Sequence, residues 1–164
     1  MMGRQCYICF LVLFCMLEVL AQEEIIYERN LWKRIGNTEY AVLNELMNWQ
    51  SAYHFCELYN GRLVVLNNPE KIRNLQHLQT IYGRQEYLKN IYWIGGNNLA
   101  DFSKWKWIPI NKPFLYTHWH VGEPRHVFSH RCVATSNRTL GFWINTPCAD
   151  QHYFICERDT SYSE

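Results

Sequence analysis

A chain of 164 residues, 48% hydrophobic and 19% charged with a formal net charge of +1, has room for one compact domain that buries roughly two-thirds of its unfolded surface. Near-neutral charge argues against nucleic acid as a partner, because phosphate binding needs clustered Lys and Arg. Seven Trp, eleven Tyr and eight Phe exclude disorder and predict a rigid aromatic core.

The first residues read as an export signal. Arg4 is followed by an apolar run from Cys6 to Leu17, and Val19-Leu20-Ala21 places small residues for cleavage after Ala21. The run falls short of the roughly 20 residues a membrane span needs, and Glu18 interrupts it. The expected organisation is a signal over 1–21, an N-terminal segment over 22–31, a domain over 32–158 and a tail over 159–164. The product is secreted, with no membrane span after cleavage. Cys6, Cys9 and Cys15 leave with the signal; Cys56, Cys132, Cys148 and Cys156 remain. An even number in an exported domain reads as two disulfides, with three pairings open. A zinc site is the rival reading, but no CxxC pair exists. Asn137-Arg138-Thr139 is an N-glycosylation sequon.

In chain order, Asn48 caps a helix from Trp49 to about Leu58, ended by Asn60-Gly61. Leu63 to Leu66 reads as a short buried strand. Asn68 before Pro69 and Glu70 starts a second helix, which carries Ile72, Leu75, Leu78 and Ile81 and stops at Gly83. Ile91 to Ile94 is a strand leading into Gly95-Gly96. Trp105 and Trp107 alternate with Lys104 and Lys106, which puts both indoles on one strand face. Residues 108–130 show no periodicity and hold Pro109, Pro113, Gly122 and Pro124, a long loop of the kind that carries function. Arg131–Thr135 and Gly141–Ile144 flank a polar turn and predict a hairpin, and Tyr153–Glu157 is a closing strand. Helices followed by a loop-rich sheet make an α+β domain.

These landmarks resemble the C-type lectin-like domains. Trp49, Ala52 and Cys56 with Gly61-Arg62-Leu63 resemble the family's opening, and Trp93-Ile94-Gly95-Gly96 its central strand. Trp119-His120-Val121-Gly122-Glu123-Pro124, Cys132-Val133, Trp143 with Cys148, and Phe154-Ile155-Cys156-Glu157 complete the match from about Trp32 to Glu157. Ile35-Gly36-Asn37 and Tyr92–Asn97 look most like the small secreted lectins of insects, some of which act in immunity or reproductive fluids. The resemblance implies two helices packed on a loop-rich, mainly antiparallel sheet, with disulfides Cys56–Cys156 and Cys132–Cys148 in the short, two-disulfide form. Loop-closure arithmetic gives the long closure about 4–5 kcal/mol and the short one about 3 kcal/mol. It also implies a cis Glu123-Pro124 peptide and core positions for Trp49, Trp93, Trp105, Trp107 and Trp143.

Sugar-binding members of that family hold one calcium ion with side-chain oxygens. Here Glu123 is retained, but Arg125 stands where asparagine belongs, His130 stands at the acidic position before Cys132, and Ile144 and Asn145 stand where Asn and Asp are expected. Calcium requires six to eight oxygen ligands. With only the remnants Glu123 and Asn145, the expectation is that the calcium site is lost and no cofactor is bound. His118, His120, His126 and His130 crowd beside Glu123. This suggests three readings: another metal cluster, a pH response, or plain polar loop residues. The candidate ligand-binding residues are Glu123, Arg125, His126, Phe128, His120 and Asn145.

No motif for nucleophilic, metal or phosphate chemistry occurs, and spacing pairs none of Asp101, Glu123 and Asp150 as glycosidase carboxylates. The expected function is non-catalytic recognition of a carbohydrate, a glycoprotein or a protein surface. The alternatives are a calcium-dependent lectin and an extracellular structural protein.

Overall fold

Local hydrogen bonds set both helices of the domain. The computed structural model describes residues 12–23, 30–81, 90–136 and 141–160, and it divides into the units Met1–Lys33 and Arg34–Glu164. In the first unit, residues 12–23 are helical and exposed. Among the described residues, no helix is long and apolar enough to cross a membrane.

In the second unit, Asn48 Oδ1 accepts from the Ser51 N–H at 2.8 Å and starts α1 (Trp49–Leu58). Asn68 Oδ1 accepts from the Lys71 N–H at 3.0 Å and starts α2 (Pro69–Ile81). Trp49, Ala52 and Cys56 face inward from α1, and Ile72, Leu75 and Leu78 from α2. Ile81, expected on the buried stripe, is exposed at the last turn, where a helix end points away from its packing partners. Gly83, the expected stop, lies outside the described residues.

The strands are β1 (Lys33–Ile35), β2 (Thr38–Met47), β3 (Arg62–Leu63), β4 (Ile91–Asn97), β5 (Lys106–Trp107), β6 (Lys112–Pro113), β7 (Cys132–Ser136), β8 (Trp143–Thr146) and β9 (His152–Asp159). The main path runs β2-β9-β4-β5-β6, and β7 joins β4 to β8. The pairs β2–β9, β3–β9, β4–β5, β4–β7, β5–β6 and β7–β8 are antiparallel, and β4 runs parallel to β9. Sequence reasoning did not predict β2. Thr38, Tyr40 and Val42 favour a strand at alternate positions, but Asn44, Glu45 and Leu46 do not, and the ladder to β9, from Thr38–Asp159 to Leu43–Phe154, holds the strand. The buried run at Leu63–Leu66 is a strand only at Arg62–Leu63. Beyond that point its backbone is satisfied by Val64 N–H to Ile155 O and Gly95 N–H to Val64 O, both 2.9 Å.

That second bond draws β4 close beneath the Leu63–Leu66 run. A Cβ added to Gly95 would meet the Leu63 carbonyl oxygen at 2.9 Å, and one on Gly96 would meet Phe114 Cζ at 2.5 Å. The glycines therefore let the backbone and the aromatic core come into contact. Trp49, Trp93, Trp107 and Trp143 are buried, while Trp105 is half-buried against the core. Cys56 pairs with Cys156 and Cys132 with Cys148, with Cα separations of 5.5 and 5.0 Å. The first bridge clamps α1 to β9; the second closes the base of the β7–β8 hairpin on the side of the long loop.

Candidate functional site

Strand β8 positions the long loop. The Trp143 N–H donates to His118 O at 2.8 Å, and the His120 N–H donates to Trp143 O at 2.9 Å. This lays Trp119 beside β8 in a short parallel bridge. The Trp143 indole is buried among Trp107, Phe114 and Trp119, with ring centroids at 5.2, 5.3 and 5.6 Å. Neither the Trp107 nor the Trp143 indole N–H has an acceptor among the described residues. Their rings meet at 88°, the edge-to-face arrangement that places positive ring edges on π faces.

Two residues further along the same face of β8, Asn145 is fully buried. Its Oδ1 accepts from the Arg125 N–H at 2.7 Å, and its Nδ2 donates to Arg125 O at 2.8 Å and to His130 O at 2.9 Å. One side chain thus ties both ends of the 125–130 turn. Inside the turn, the Val127 N–H reaches Arg125 O at 2.9 Å and the His130 N–H reaches Val127 O at 3.0 Å. Glu123 is held from the other side. Its Oε1 accepts from Arg125 Nε at 3.0 Å, and its Oε2 accepts from the N–H groups of Arg125 and Asn145, both at 3.3 Å. The Glu123 side chain is 10% exposed, that of Arg125 53%. A charge-assisted bond to a nearly buried carboxylate is the strong kind. The Glu123-Pro124 peptide is cis.

At the tip of the turn, Phe128 is 77% exposed. Its ring faces Phe102, centroids 6.0 Å apart, and the Arg131 guanidinium lies 5.3 Å from Phe102 and 5.4 Å from Phe128. Arg131 also donates to Asn98 Oδ1 at 3.2 Å, to Leu99 O at 3.1 Å and to Asn98 O. It therefore fastens the 98–102 loop to the base of β7. Sequence reasoning missed Phe102 and Arg131. The only available signal was an exposed aromatic inside a polar turn, and its partners lie almost 30 residues away.

The four imidazoles sit in separate surroundings. The His118 ring stacks on Phe142 at 4.1 Å and 7° and lies beside the Tyr116 hydroxyl at 3.4 Å. His120 Nδ1 approaches Val121 O at 3.2 Å. His130 Nδ1 pairs with the Ser129 hydroxyl at 3.0 Å, and His126 is exposed. Among the described residues, no three His, Cys, Asp or Glu side chains are grouped to hold a metal ion. Burial pushes the His118 imidazole below its ordinary value. Of the expected ligand-binding residues, Glu123, Arg125 and Asn145 form one hydrogen-bonded unit, and Phe128 crowns the turn that unit holds. His120 joins through its carbonyl, which accepts from the Glu123 N–H at 2.9 Å. Asn137 lies outside the described residues.

The family profile described as Lectin C-type domain matches residues 45–158. The C-type lectin mosGCTL-7 of Culex quinquefasciatus is 28% identical over 131 residues, 74% of this chain and 75% of that protein. C-type lectin 16 of Aedes aegypti is 28% identical over 129 residues, 75% of this chain and 83% of that one. Among solved structures, the mouse scavenger receptor C-type lectin carbohydrate-recognition domain aligns with a TM-score of 0.68 and 25% identity, covering 78% of this chain and 95% of that one.

Proposed function

From the premise that the chain belongs to the C-type lectin domain family, we propose that it is a secreted, non-catalytic recognition module. Its long-loop face binds a glycan, a glycoprotein or a protein surface without calcium. The observation that carries this reading is the occupation of both remnant calcium ligands by Arg125. Glu123 accepts from Arg125 through both carboxylate oxygens, and Asn145 Oδ1 accepts from the Arg125 N–H. Arg125, His130 and Ile144 supply no side-chain oxygen, and the guanidinium places a positive charge at the carboxylate that a cation would need. These residues do not fit calcium, which takes six to eight oxygens.

The proposal extends to export: the apolar stretch before Ala21 acts as the signal, and Asn137 is the glycan acceptor. The relatives named above support a glycan as the first class of ligand to test.

The test is thermal unfolding of the oxidised protein in EDTA and in millimolar calcium. A ligand bound only by the folded state at a hundredfold excess over Kd stabilises by about 2.7 kcal/mol, which is several degrees for a domain of this size. The expected result is coincident melting curves. A clear rise in calcium would overturn the reading that calcium does not bind and favour the calcium-dependent alternative.

A further inference from the structure

We infer that the ligand of the long-loop face is an acidic glycan, with its carboxylate or sulfate bound by the outer edge of Arg125 and a sugar ring laid on Phe128. The inference rests on the calcium-free reading above and adds the ligand class.

Three observations carry it. The first is charge. The chain as a whole is +1, but residues 101–150 hold six Lys or Arg against three acids, Asp101, Glu123 and Asp150, a formal +3. Two of those acids pair with cations, Glu123 with Arg125 at 3.0 Å and Asp101 with Lys104 at 3.0 Å, while Asp150 accepts from the Thr146 hydroxyl at 2.7 Å. An anion approaching Arg125 meets Glu123 already ion-paired, in a segment whose formal charge is positive.

The second is the state of Arg125. Only its Nε–H is engaged, with Glu123. Its two Nη groups have no partner among the described residues, and its side chain is half exposed. Glu123 holds the planar fork in place while its far edge, the bidentate edge that matches a carboxylate or sulfate, faces outward. A guanidinium positioned in advance loses little freedom on binding.

The third is Phe128, 77% exposed on a turn that Asn145 ties at both ends and Arg131 backs from below. A rigid, exposed aromatic is the sort of anchor that recognition surfaces use. The apolar C–H face of a pyranose packs on such a ring as any apolar surface does. Phe128 lies three positions after Arg125, so their backbones lie at most about 11 Å apart, a span that adjoining sugar units bridge.

The test measures binding of the oxidised full chain to immobilised heparin, hyaluronan, mannan and single-stranded DNA, in EDTA and, in a parallel arm, in millimolar calcium. The expected result is retention on heparin or hyaluronan, little on mannan, and weakening with salt. Arg125→Gln is expected to reduce acidic-glycan affinity at least tenfold with partial rescue by Arg125→Lys, and Phe128→Ala to reduce it independently. Arg125→Gln leaves the backbone bonds to Asn145 in place, and an unchanged melting temperature verifies the fold. Mannan binding in EDTA that Arg125→Gln leaves unaltered would overturn the acidic-glycan inference and leave calcium-free recognition standing. Glycan binding that appears only when calcium replaces EDTA would overturn both. Equal retention on DNA, heparin binding indifferent to Arg125→Gln and Phe128→Ala, or no binding to any probe would overturn the inference.

Discussion

The Arg125 backbone N–H donates to Asn145 Oδ1 at 2.7 Å across 20 residues of sequence. Asn145 also returns two bonds, to Arg125 O and His130 O, so this buried side chain holds the loop that a cation would otherwise organise. Asn145→Ala leaves two carbonyls without that donor and is expected to cost about 1–3 kcal/mol. Asn145→Asp keeps the acceptor but turns an oxygen toward both carbonyls, and should cost more. Urea midpoints at unchanged m-value measure both. Equal stability of Asn145→Asp and wild type would show that the staple is not formed.

A buried ion cluster sits away from this face. Glu157, fully buried on β9, accepts from Lys71 Nζ at 2.7 Å and Arg62 Nε at 3.0 Å, and Lys71 also reaches the Thr38 hydroxyl at 3.2 Å. Burial works against the charged form of both cations, but Glu157, joined by Asp159 at Arg62 and by Tyr40 at Lys71, outweighs it and raises both above their ordinary values. Lys71→Met strips a buried carboxylate of one of its two cations, with an expected loss of about 3 kcal/mol in chemical denaturation. The double variant Lys71→Met, Glu157→Leu is expected to recover part of it.

Gly95→Ala tests the close approach of β4 to the Leu63–Leu66 run. The added methyl meets a backbone carbonyl at 2.9 Å, and a backbone yields less than a side chain. The expected cost is about 1–3 kcal/mol, visible as a lower thermal midpoint.

Acid is expected to destabilise the fold through two histidines. Burial lowers His118 and His152 below the ordinary 6.5. His152 packs on Trp93 at 4.6 Å, and the 4.0 Å gap to Asp150 is too long for a hydrogen bond, so desolvation prevails over that carboxylate's attraction. With the folded-state value depressed, the unfolded chain binds more protons on acidification. Stability is therefore complete above about pH 6.5 and falls as the pH drops below it. Denaturation midpoints from pH 8 to 5 follow this slope, and His152→Gln should flatten it. A slope identical in His152→Gln would remove His152 from the account.

Whatever closes within a turn of helix, or lies in an ordered string of landmarks, is legible in the amino-acid sequence. The Asn48 and Asn68 caps act three residues away, so the starts of α1 and α2 are written locally. The order of Trp, Gly and Cys landmarks was enough to place the family, and the family to choose Cys56–Cys156 and Cys132–Cys148 from three possible pairings. Glu123, Arg125 and Asn145 were each singled out as candidate residues.

The tertiary structure alone decided how those residues use their oxygens. Asn145 meets Arg125 only because β8 runs beneath the long loop, and Phe128 meets Phe102 only because Arg131 bridges to Asn98 and Leu99. β2 is a strand for the same reason: β9, more than a hundred residues later, supplies its partners. A hydrogen bond or ring contact between distant segments depends on where the sheet brings the backbone, and no local propensity or spacing encodes that distance.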